Sequence, residues 1–452
     1  MNNLIKFILL TFILLSIYYF LLPAPVSSTY YVARNGNDNG PGTEAQPWRT
    51  ITKAANTAVA GNTVYIKTGT YNERLIPANP GSPGNYVTFA AYPGEIVTID
   101  GTGVSVPIYN GLVHISNKSY IRISNLRIIN SQWAGVWVAN DSSYITVEKN
   151  YIYNTRSSGI LMGNGHHYTA DGNEIEKGNS DTTGDTSIQE IISIQYNTDT
   201  FEVKNNYVHD GGNPVWGGEG IVAKDGSSNG LIYNNVVSNV MSTGIYIDAY
   251  STTVSNISVY SNRLQNTDNT GIGVSGEVGG TAYDIHIYNN IISGAQVGIR
   301  IPSYNDGTVS YLNNIQVINN NIYNNGGTAG GGGVLIGQYP NTHINGLVIR
   351  NNIISKNKNY QIAFNSTDSN TGYNIDHNLI DVFKGLSNEI RGKFYIAGDP
   401  QFVNPAGGDF HLGNSSPAID TGSPDGAPNV DFEGNPRPRG AGYDIGAFEY
   451  RQ

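Results

Sequence analysis

The sequence predicts an all-β fold, a single-stranded parallel β-helix (solenoid) in which each coil of the chain stacks on the one before it. Three observations carry this prediction. An asparagine returns at intervals of 23 to 33 residues, the repeat length of a solenoid coil. It follows a short alternation of apolar and polar residues, as in "GLIYNNV" and "IHIYNNI", and this alternation is typical of strands. The 452 residues also include 55 glycines and 31 tyrosines, a composition that suits a turn-rich β protein.

The recurring asparagines are predicted to be structural. In a β-helix, equivalent residues of neighbouring coils stack in columns with a spacing of about 4.8 Å. An asparagine at a bend tolerates a left-handed backbone and can hydrogen-bond to the asparagine above it, so we expect an internal ladder. The column contains Asn125, Asn150, Asn173, Asn206, Asn235, Asn262, Asn290, Asn320 and Asn352. It also sets the register in which distant segments can be aligned.

The N-terminal residues 1–28 are interpreted as a signal peptide. Lys6 precedes an apolar run over residues 7–22, and small residues suited to cleavage follow it. A retained membrane anchor is the alternative. Cleavage would give a secreted protein, extracellular or at the cell surface, without membrane contact and expected to be a monomer. The chain has no cysteine, so disulfides do not hold the coils together.

The remaining chain divides into three parts. Residues 29–85 predict an N-terminal cap and the first coils, because Ile51, Ala54, Ala55 and Ala58 recur at helical spacing and a strand follows at 63–67. A helix here would cover the unpaired backbone groups of the first coil. Coils are predicted over 86–380. Residues 381–452 are rich in proline and glycine and predict a C-terminal cap module.

The charge of the chain limits its partners. The net charge is −10 and there is no basic run, which argues against nucleic acid, whose phosphates need a positive surface. An acidic surface also repels an acidic polysaccharide. Binding such a polymer would require local cations, either lysine and arginine or a bound metal.

Both ends of the mature chain resemble a known group of proteins. The opening "YYVARNGNDNGPGTEAQPWRTI…GNTVYIKTGTYNE" resembles the entry segment of secreted right-handed parallel β-helix proteins, among them polysaccharide lyases of families six and nine. The ending "SPAIDTGSP…DFEGNPRPRGAGYDIGAFEY" resembles a short terminal module that closes such proteins. The resemblance implies a right-handed β-helix. It says less about activity, since this scaffold hosts lyases, hydrolases, epimerases and adhesins.

The asparagine register brings several charged residues together. It aligns "QEIISIQYN", "GEGIVAKDG", "TGIYIDAYS" and "TGIGVSGEV", so Glu190 lies under Glu219 and Lys224 under Asp248, with Glu277 on the next coil. Two carboxylates stacked about 4.8 Å apart need a cation or a proton between them, so the first pair predicts a calcium (Ca²⁺) site. Alternatively, one carboxylate turns elsewhere or pairs with lysine.

Lys224 is the predicted catalytic base. It would have to lose its proton near neutral pH, which burial beside a metal allows. The alternative is a structural ion pair with Asp248 or Asp225. The segment "GEGIVAK" also resembles a family-six lyase motif, which implies Glu219 as a calcium ligand and Lys224 as the base. The chain departs from that motif at Gly217 and Asp248, where the family has glutamate and arginine.

The predicted function is calcium-assisted cleavage of a uronic-acid polysaccharide by β-elimination. Asp248 and Arg300 are assigned to catalysis with Lys224, and Asp225 to the metal site with the two stacked glutamates. Trp133, Trp137, Tyr250 and Glu277 are assigned to substrate binding, although core packing is the commoner role of such aromatic residues. A glycoside hydrolase using Glu219 and Asp248 remains an alternative. So does a non-catalytic, glycan-binding surface protein, which predicts neither a metal nor a reactive lysine.

Overall fold

The structure is a computed structural model that describes residues 28–181, 190–213, 217–304, 306–327, 330–337, 341–365 and 373–451. The predicted signal peptide, apart from its last residue, lies outside this range. Within the described part of the chain, no helix is both long and apolar enough to cross a membrane.

The fold is the predicted all-β solenoid. Three parallel sheets of 14, 13 and 10 strands run along it, and each strand pairs with its equivalents on the coils before and after. We call them sheets A, B and C. Because parallel pairing needs a crossover between partners, the chain visits the sheets in turn and then returns to the first.

The strands of the three sheets have the following bounds. Sheet A contains Thr29–Val32, Thr63–Ile66, Val87–Ala91, Ser119–Ser124, Ser142–Glu148, Gly165–Asp171, Asp199–Lys204, Ser228–Tyr233, Thr253–Tyr260, Thr281–Tyr288, Ser310–Ile318, Thr342–Asn345, Val348–Arg350 and Asn374–Asp376. Sheet B contains Gly69–Tyr71, Val97–Asp100, Arg127–Ile129, Tyr151–Tyr153, Glu174–Glu176, Tyr207–His209, Val236–Ser238, Arg263–Gln265, Ile291–Ser293, Asn321–Tyr323, Ile353–Ser355, Leu379–Ile380 and Ile396–Ala397. Sheet C contains Gly111–Ser116, Ala134–Ala139, Ile160–Gly163, Glu190–Gln195, Glu219–Lys224, Ile245–Asp248, Thr270–Ser275, Val297–Ile301, Val334–Ile336 and Ile362–Phe364.

Columns of branched apolar residues fill the interior. One column of sheet C is fully buried along its length and consists of Val113, Val136, Ile160, Ile192, Ile221, Ile245, Ile272, Ile299, Val334 and Ile362. Branched side chains favour strands and stack closely on the same residue of the next coil. Burial of each such side chain contributes roughly 1.5–3 kcal/mol. The alternation that predicted the strands therefore also fixes which side chains face inward.

The predicted asparagine ladder is present, with two corrections. It runs through buried residues that bond side chain to side chain at 2.9–3.0 Å: Asn150, Asn173, Asn206, Asn235, Asn262, Asn290, Asn320, Asn352 and Asn378. The inclusion of Asn125 was wrong, because Leu126 occupies that position and its backbone amide donates to Asn150. The left-handed backbone belongs to the residue before the ladder asparagine, as at Asn234 (φ 55°), and the ladder residues are not left-handed.

The two ends of the solenoid are covered by short elements. The predicted helix is present as Ile51–Thr57, with Thr50 as its N-cap, and its buried face packs on the core of the first coils. After the last strand of sheet C, the amide of Ile390 donates to the carbonyl of Ile362 and closes that edge.

The C-terminal residues also pack along the flank of the solenoid. They include the antiparallel strands Phe402–Asn404 and Asp409–Leu412, joined by the 3₁₀ turn Pro405–Gly407. Buried Arg437 donates to Asn289 and to the carboxylate of Glu449, which ties this segment to the coils. The assignment of all of residues 381–452 to one cap module stays a prediction.

Candidate functional site

A cavity of about 380 Å³ opens on the outer face of sheet C. It lies over three neighbouring strands, Glu190–Gln195, Glu219–Lys224 and Ile245–Asp248, and reaches Glu277 in the chain after the next strand of sheet C. Its lining consists of Glu190, Gln195, Tyr196, Glu219, Val222, Lys224, Asp225, Tyr246, Asp248, Tyr250 and Glu277. We refer to it as the acidic cavity, since its five carboxylic acids surround a single basic residue.

The strand register predicted from the asparagines is confirmed in this region. Glu190 pairs with Glu219 on the next coil, and Lys224 pairs with Asp248. Asp248 in turn pairs with Ser275. The parallel sheet therefore brings residues that lie far apart in sequence onto one surface.

Lys224 lies at the centre of the acidic cavity. Its Nζ atom is 3.1 Å from Oε1 of Glu190 and 3.6 Å from Oδ2 of Asp248. The ring of Tyr250 lies 5.6 Å from the same nitrogen, within the range of a cation–π contact. The ion pair with Asp248, the alternative to a base, is thus present, and Glu190 is the stacked carboxylate that pairs with the lysine.

The surrounding carboxylates hold Lys224 in its charged form. Burial alone would lower the pKa of its ammonium group, but the negative charges of Glu190 and Asp248 outweigh burial and raise this pKa above its usual value. In this arrangement Lys224 is an ion-pair partner. It becomes a base only if another positive charge takes over its carboxylates.

Four of the five acids of the cavity are hard to ionise. Burial, followed by the charge of Glu190, raises the pKa of Glu219 from 4.5 to about 7. Burial is also the first cause of the raised pKa values of Asp225, Asp248 and Glu277. One ammonium does not balance five acids, so the cavity favours an added cation or bound protons.

Two buried carboxylate oxygens in this cavity have no hydrogen-bond partner, namely Oε2 of Glu190 and Oδ1 of Asp248. These two residues are only 5% and 4% exposed. A buried unpaired carboxylate oxygen costs free energy, so both atoms are available as ligands for a cation. Within the described residues, no three acids of the cavity lie at metal-ligand spacing. The only group of three that does is formed by Glu174, Glu176 and His209, outside this cavity.

The other predicted site residues lie in different places. Tyr250 and Glu277 line the acidic cavity, and the hydroxyl of Tyr246 donates to Glu277. Trp137 borders an adjoining cavity of about 600 Å³ that shares Tyr196 with the first, but it is only 5% exposed and belongs to the core. Tyr196 and Tyr246 were not predicted from the sequence. Tyr246 did have a signal, because it lies two residues before Asp248 and therefore on the same face of its strand.

Two predicted residues lie away from the cavity. The assignment of Trp133 to sugar stacking was wrong for this structure, since the residue is 2% exposed and its ring packs in the core. Arg300 does not line the cavity. It lies two coils beyond Tyr246 in the same column, with Gly273 between them, at a strand separation of about 10 Å.

Comparisons with known proteins agree with this architecture. Residues 30–218 match a family model described as a Pel9A-like, right-handed beta helix region, and residues 190–380 match one described as a right-handed beta helix region. The chain is a right-handed parallel β-helix. The coil stacking predicted from the recurring asparagine and the handedness implied by the resemblance of the two ends are thereby confirmed.

Two curated relatives are similar to this chain. An uncharacterized protein of Bacillus subtilis, YwoF, is 28% identical over 444 residues, covering 86% of this chain and 91% of the relative. The pectate lyase PEL9 of Emericella nidulans is 31% identical over 135 residues, which is 27% of this chain and 32% of that enzyme. Among solved structures, XylC in complex with xylose superposes with a TM-score of 0.59 at 14% identity, covering 94% of this chain and 99% of that one. At this identity the superposition concerns the fold alone.

Proposed function

We propose that this protein is a polysaccharide lyase that cleaves a uronic-acid polymer by β-elimination in the acidic cavity. The observation that carries the proposal is a half-buried lysine, Lys224, held between two carboxylates in a cavity that opens to solvent. The partial similarity to a pectate lyase and the match to a Pel9A-like region support the same reaction class.

Calcium is the cation that suits this cavity. A uronic-acid polymer and the acidic cavity repel each other unless positive charge lies between them. Calcium prefers carboxylate oxygens, and the unpartnered oxygens of Glu190 and Asp248 supply two, with Glu219 and Asp225 alongside. When bound, calcium would neutralise the substrate carboxylate and make the C5 proton of the sugar more acidic.

Lys224 is the proposed base. Once Glu190 and Asp248 have a metal ion to neutralise them, they no longer stabilise the ammonium, and the pKa of Lys224 falls. Its Nζ then takes the C5 proton. The electron pair of the C5–H bond forms a C4=C5 double bond, the C4–O bond breaks, and the leaving oxygen takes a proton from water.

The polymer would extend along sheet C. Tyr250 is 44% exposed and offers a ring to a sugar next to the base, and Tyr196 connects the acidic cavity with the cavity that contains Trp137. Arg300, two coils away in the other direction, would contact a carboxylate of another sugar. We also propose that the protein works outside the cell, where such polymers occur, as its N-terminal sequence predicts.

Product chemistry tests the proposal. Purified protein is incubated with pectate, alginate and glycosaminoglycans in calcium or in chelator, and the ultraviolet absorbance of unsaturated chain ends is recorded. We expect absorbance with one polymer in calcium only. Lys224→Gln should abolish it. Lys204→Gln, which removes a lysine paired with Glu202 on sheet A, should not. Absorbance that survives Lys224→Gln would remove the base assignment.

A glycoside hydrolase is the second candidate. The pKa of Glu219, about 7, is in the range of a general acid. This candidate predicts new reducing ends without ultraviolet absorbance in the same incubations. If no polymer gives any product, the cavity serves to bind glycan only.

A further inference from the structure

A second group of ionisable side chains lies on the outer face of sheet B. Glu174 and Glu176 belong to the strand Glu174–Glu176, and His209 ends the neighbouring strand Tyr207–His209, paired with Glu176. The middle residues of both strands are fully buried in the core. Because side chains alternate along a strand, the flanking residues share the outer face.

The ligand atoms of these three residues converge. One nitrogen or oxygen of each lies within 4.8 Å of those of the other two. Nε2 of His209 is 3.4 Å from Oε1 of Glu174, and this buried nitrogen has no hydrogen-bond partner. Tetrahedral zinc with bonds of about 2.0–2.2 Å places neighbouring ligand atoms about 3.3–3.5 Å apart. The spacing thus suits two ligands of one small ion.

The side chain of His209 is held with Nε2 directed at the glutamates. Its Nδ1 lies 2.7 Å from Oδ2 of Asp210, whose other oxygen accepts from Asn239 at 3.0 Å. A carboxylate accepts, so Nδ1 carries the proton and Nε2 of the neutral ring keeps its lone pair. The ring of Tyr207 stacks on the imidazole at 4.0 Å. His209 is 7% exposed, so its orientation is fixed by packing.

Glu176 is oriented in the same way, since its Oε2 accepts a hydrogen bond of 2.7 Å from the hydroxyl of Tyr151. A carboxylate on the far side of a ligating imidazole and a hydrogen bond to a ligating carboxylate are the usual supports of a metal site. Glu174 is exposed and leaves a path to solvent.

We propose that Glu174, Glu176 and His209 bind a zinc-type divalent transition-metal ion, with water in the fourth position. The lone pair of His209 and the carboxylate of Glu174 both accept hydrogen bonds, so at 3.4 Å they repel each other unless a metal ion or a proton lies between them. An imidazole ligand and the small ligand number favour zinc over calcium. The ion would join two consecutive coils on sheet B, outside the lining of the acidic cavity and independently of the lyase reaction.

Zinc titration tests this site. Untagged full-length protein is stripped with chelator, transferred to excess calcium to fill oxygen-ligand sites, and titrated with zinc chloride by calorimetry at neutral pH. We expect one zinc ion per chain and a higher melting temperature with zinc. Glu174→Gln, a change at an exposed position, and His209→Gln should abolish both effects. Asp210→Asn should weaken binding about 10- to 100-fold, because it removes the partner that orients the imidazole.

His411→Gln is the matched control. His411 also lies between two carboxylates, Asp409 and Glu433, but Glu433 is paired with Arg451. This variant should bind zinc as the unchanged protein does. Absence of zinc binding, or equal binding by His209→Gln, would overturn the proposal and leave His209 as a protonated bridge between Asp210 and Glu174.

Discussion

Replacing Glu219 by glutamine should remove a pH-dependent loss of stability. The folded protein raises the pKa of this carboxyl from 4.5 to about 7, chiefly through burial. At about 1.4 kcal/mol per pKa unit, this difference amounts to about 3 kcal/mol. Because the folded value is the higher one, the stabilising contribution is fully present below pH 4.5 and is lost as the pH rises through about 7. Glutamine keeps an acceptor for the hydroxyl of Ser242, 3.1 Å away, and carries no charge.

Urea unfolding in chelator between about pH 4.5 and pH 8 measures this effect. The free energy of unfolding of the unchanged protein minus that of Glu219→Gln should fall by about 3 kcal/mol over this range. Glu148→Gln, which removes a carboxylate from sheet A, should leave the fall in place. If the difference in free energy of unfolding between the unchanged protein and Glu219→Gln stays constant with pH, the cavity does not resist ionisation of Glu219 and this reasoning is refuted.

Two further predictions concern the ladder and the lysine. Asn262→Ala should lower the free energy of unfolding by about 3–5 kcal/mol, because it removes four buried hydrogen bonds. The control Asn345→Ala removes one exposed hydrogen bond and should change the free energy of unfolding by less than about 0.5 kcal/mol. Lys224→Gln in chelator should cost about 3–5 kcal/mol at pH 8, because Glu190 and Asp248 lose their cation, and calcium or acidification should restore most of this loss. Denaturation midpoints measure both, and an unchanged midpoint for either variant would contradict the contacts described.

The fold could be predicted from the sequence because one pattern repeats. Each coil buries the same alternating side chains, so a small error in one coil is corrected by its neighbours. The error at Asn125 came from the first coil of the series, which has no preceding ladder residue. The pairings of Glu190 with Glu219 and of Lys224 with Asp248 followed from the same register.

The side-chain contacts that define the site were harder to predict from the sequence. Glu190 and Lys224 occupy different columns, and the spacing of residues does not reveal that two long side chains reach across to each other. Trp133 precedes the strand Ala134–Ala139, where the alternation has not begun, so its inward direction could not be inferred. The group on sheet B did have a signal, since Glu176 and His209 each follow a ladder asparagine by three residues.

Proton release on calcium binding tests the central claim most directly, namely that a cation frees Lys224 to act as a base. Calorimetric titrations at about pH 8, in buffers of different ionisation enthalpy, count the protons released. At that pH Glu219 is mostly ionised, and Lys224→Gln separates a proton released by Lys224 from one released by Asp225, Asp248 or Glu277, whose pKa values are also raised. We predict calcium binding with release of close to one proton by the unchanged protein, and binding without release by Lys224→Gln. Failure to bind calcium, or binding without proton release, would leave Lys224 an ammonium ion and contradict the proposed mechanism.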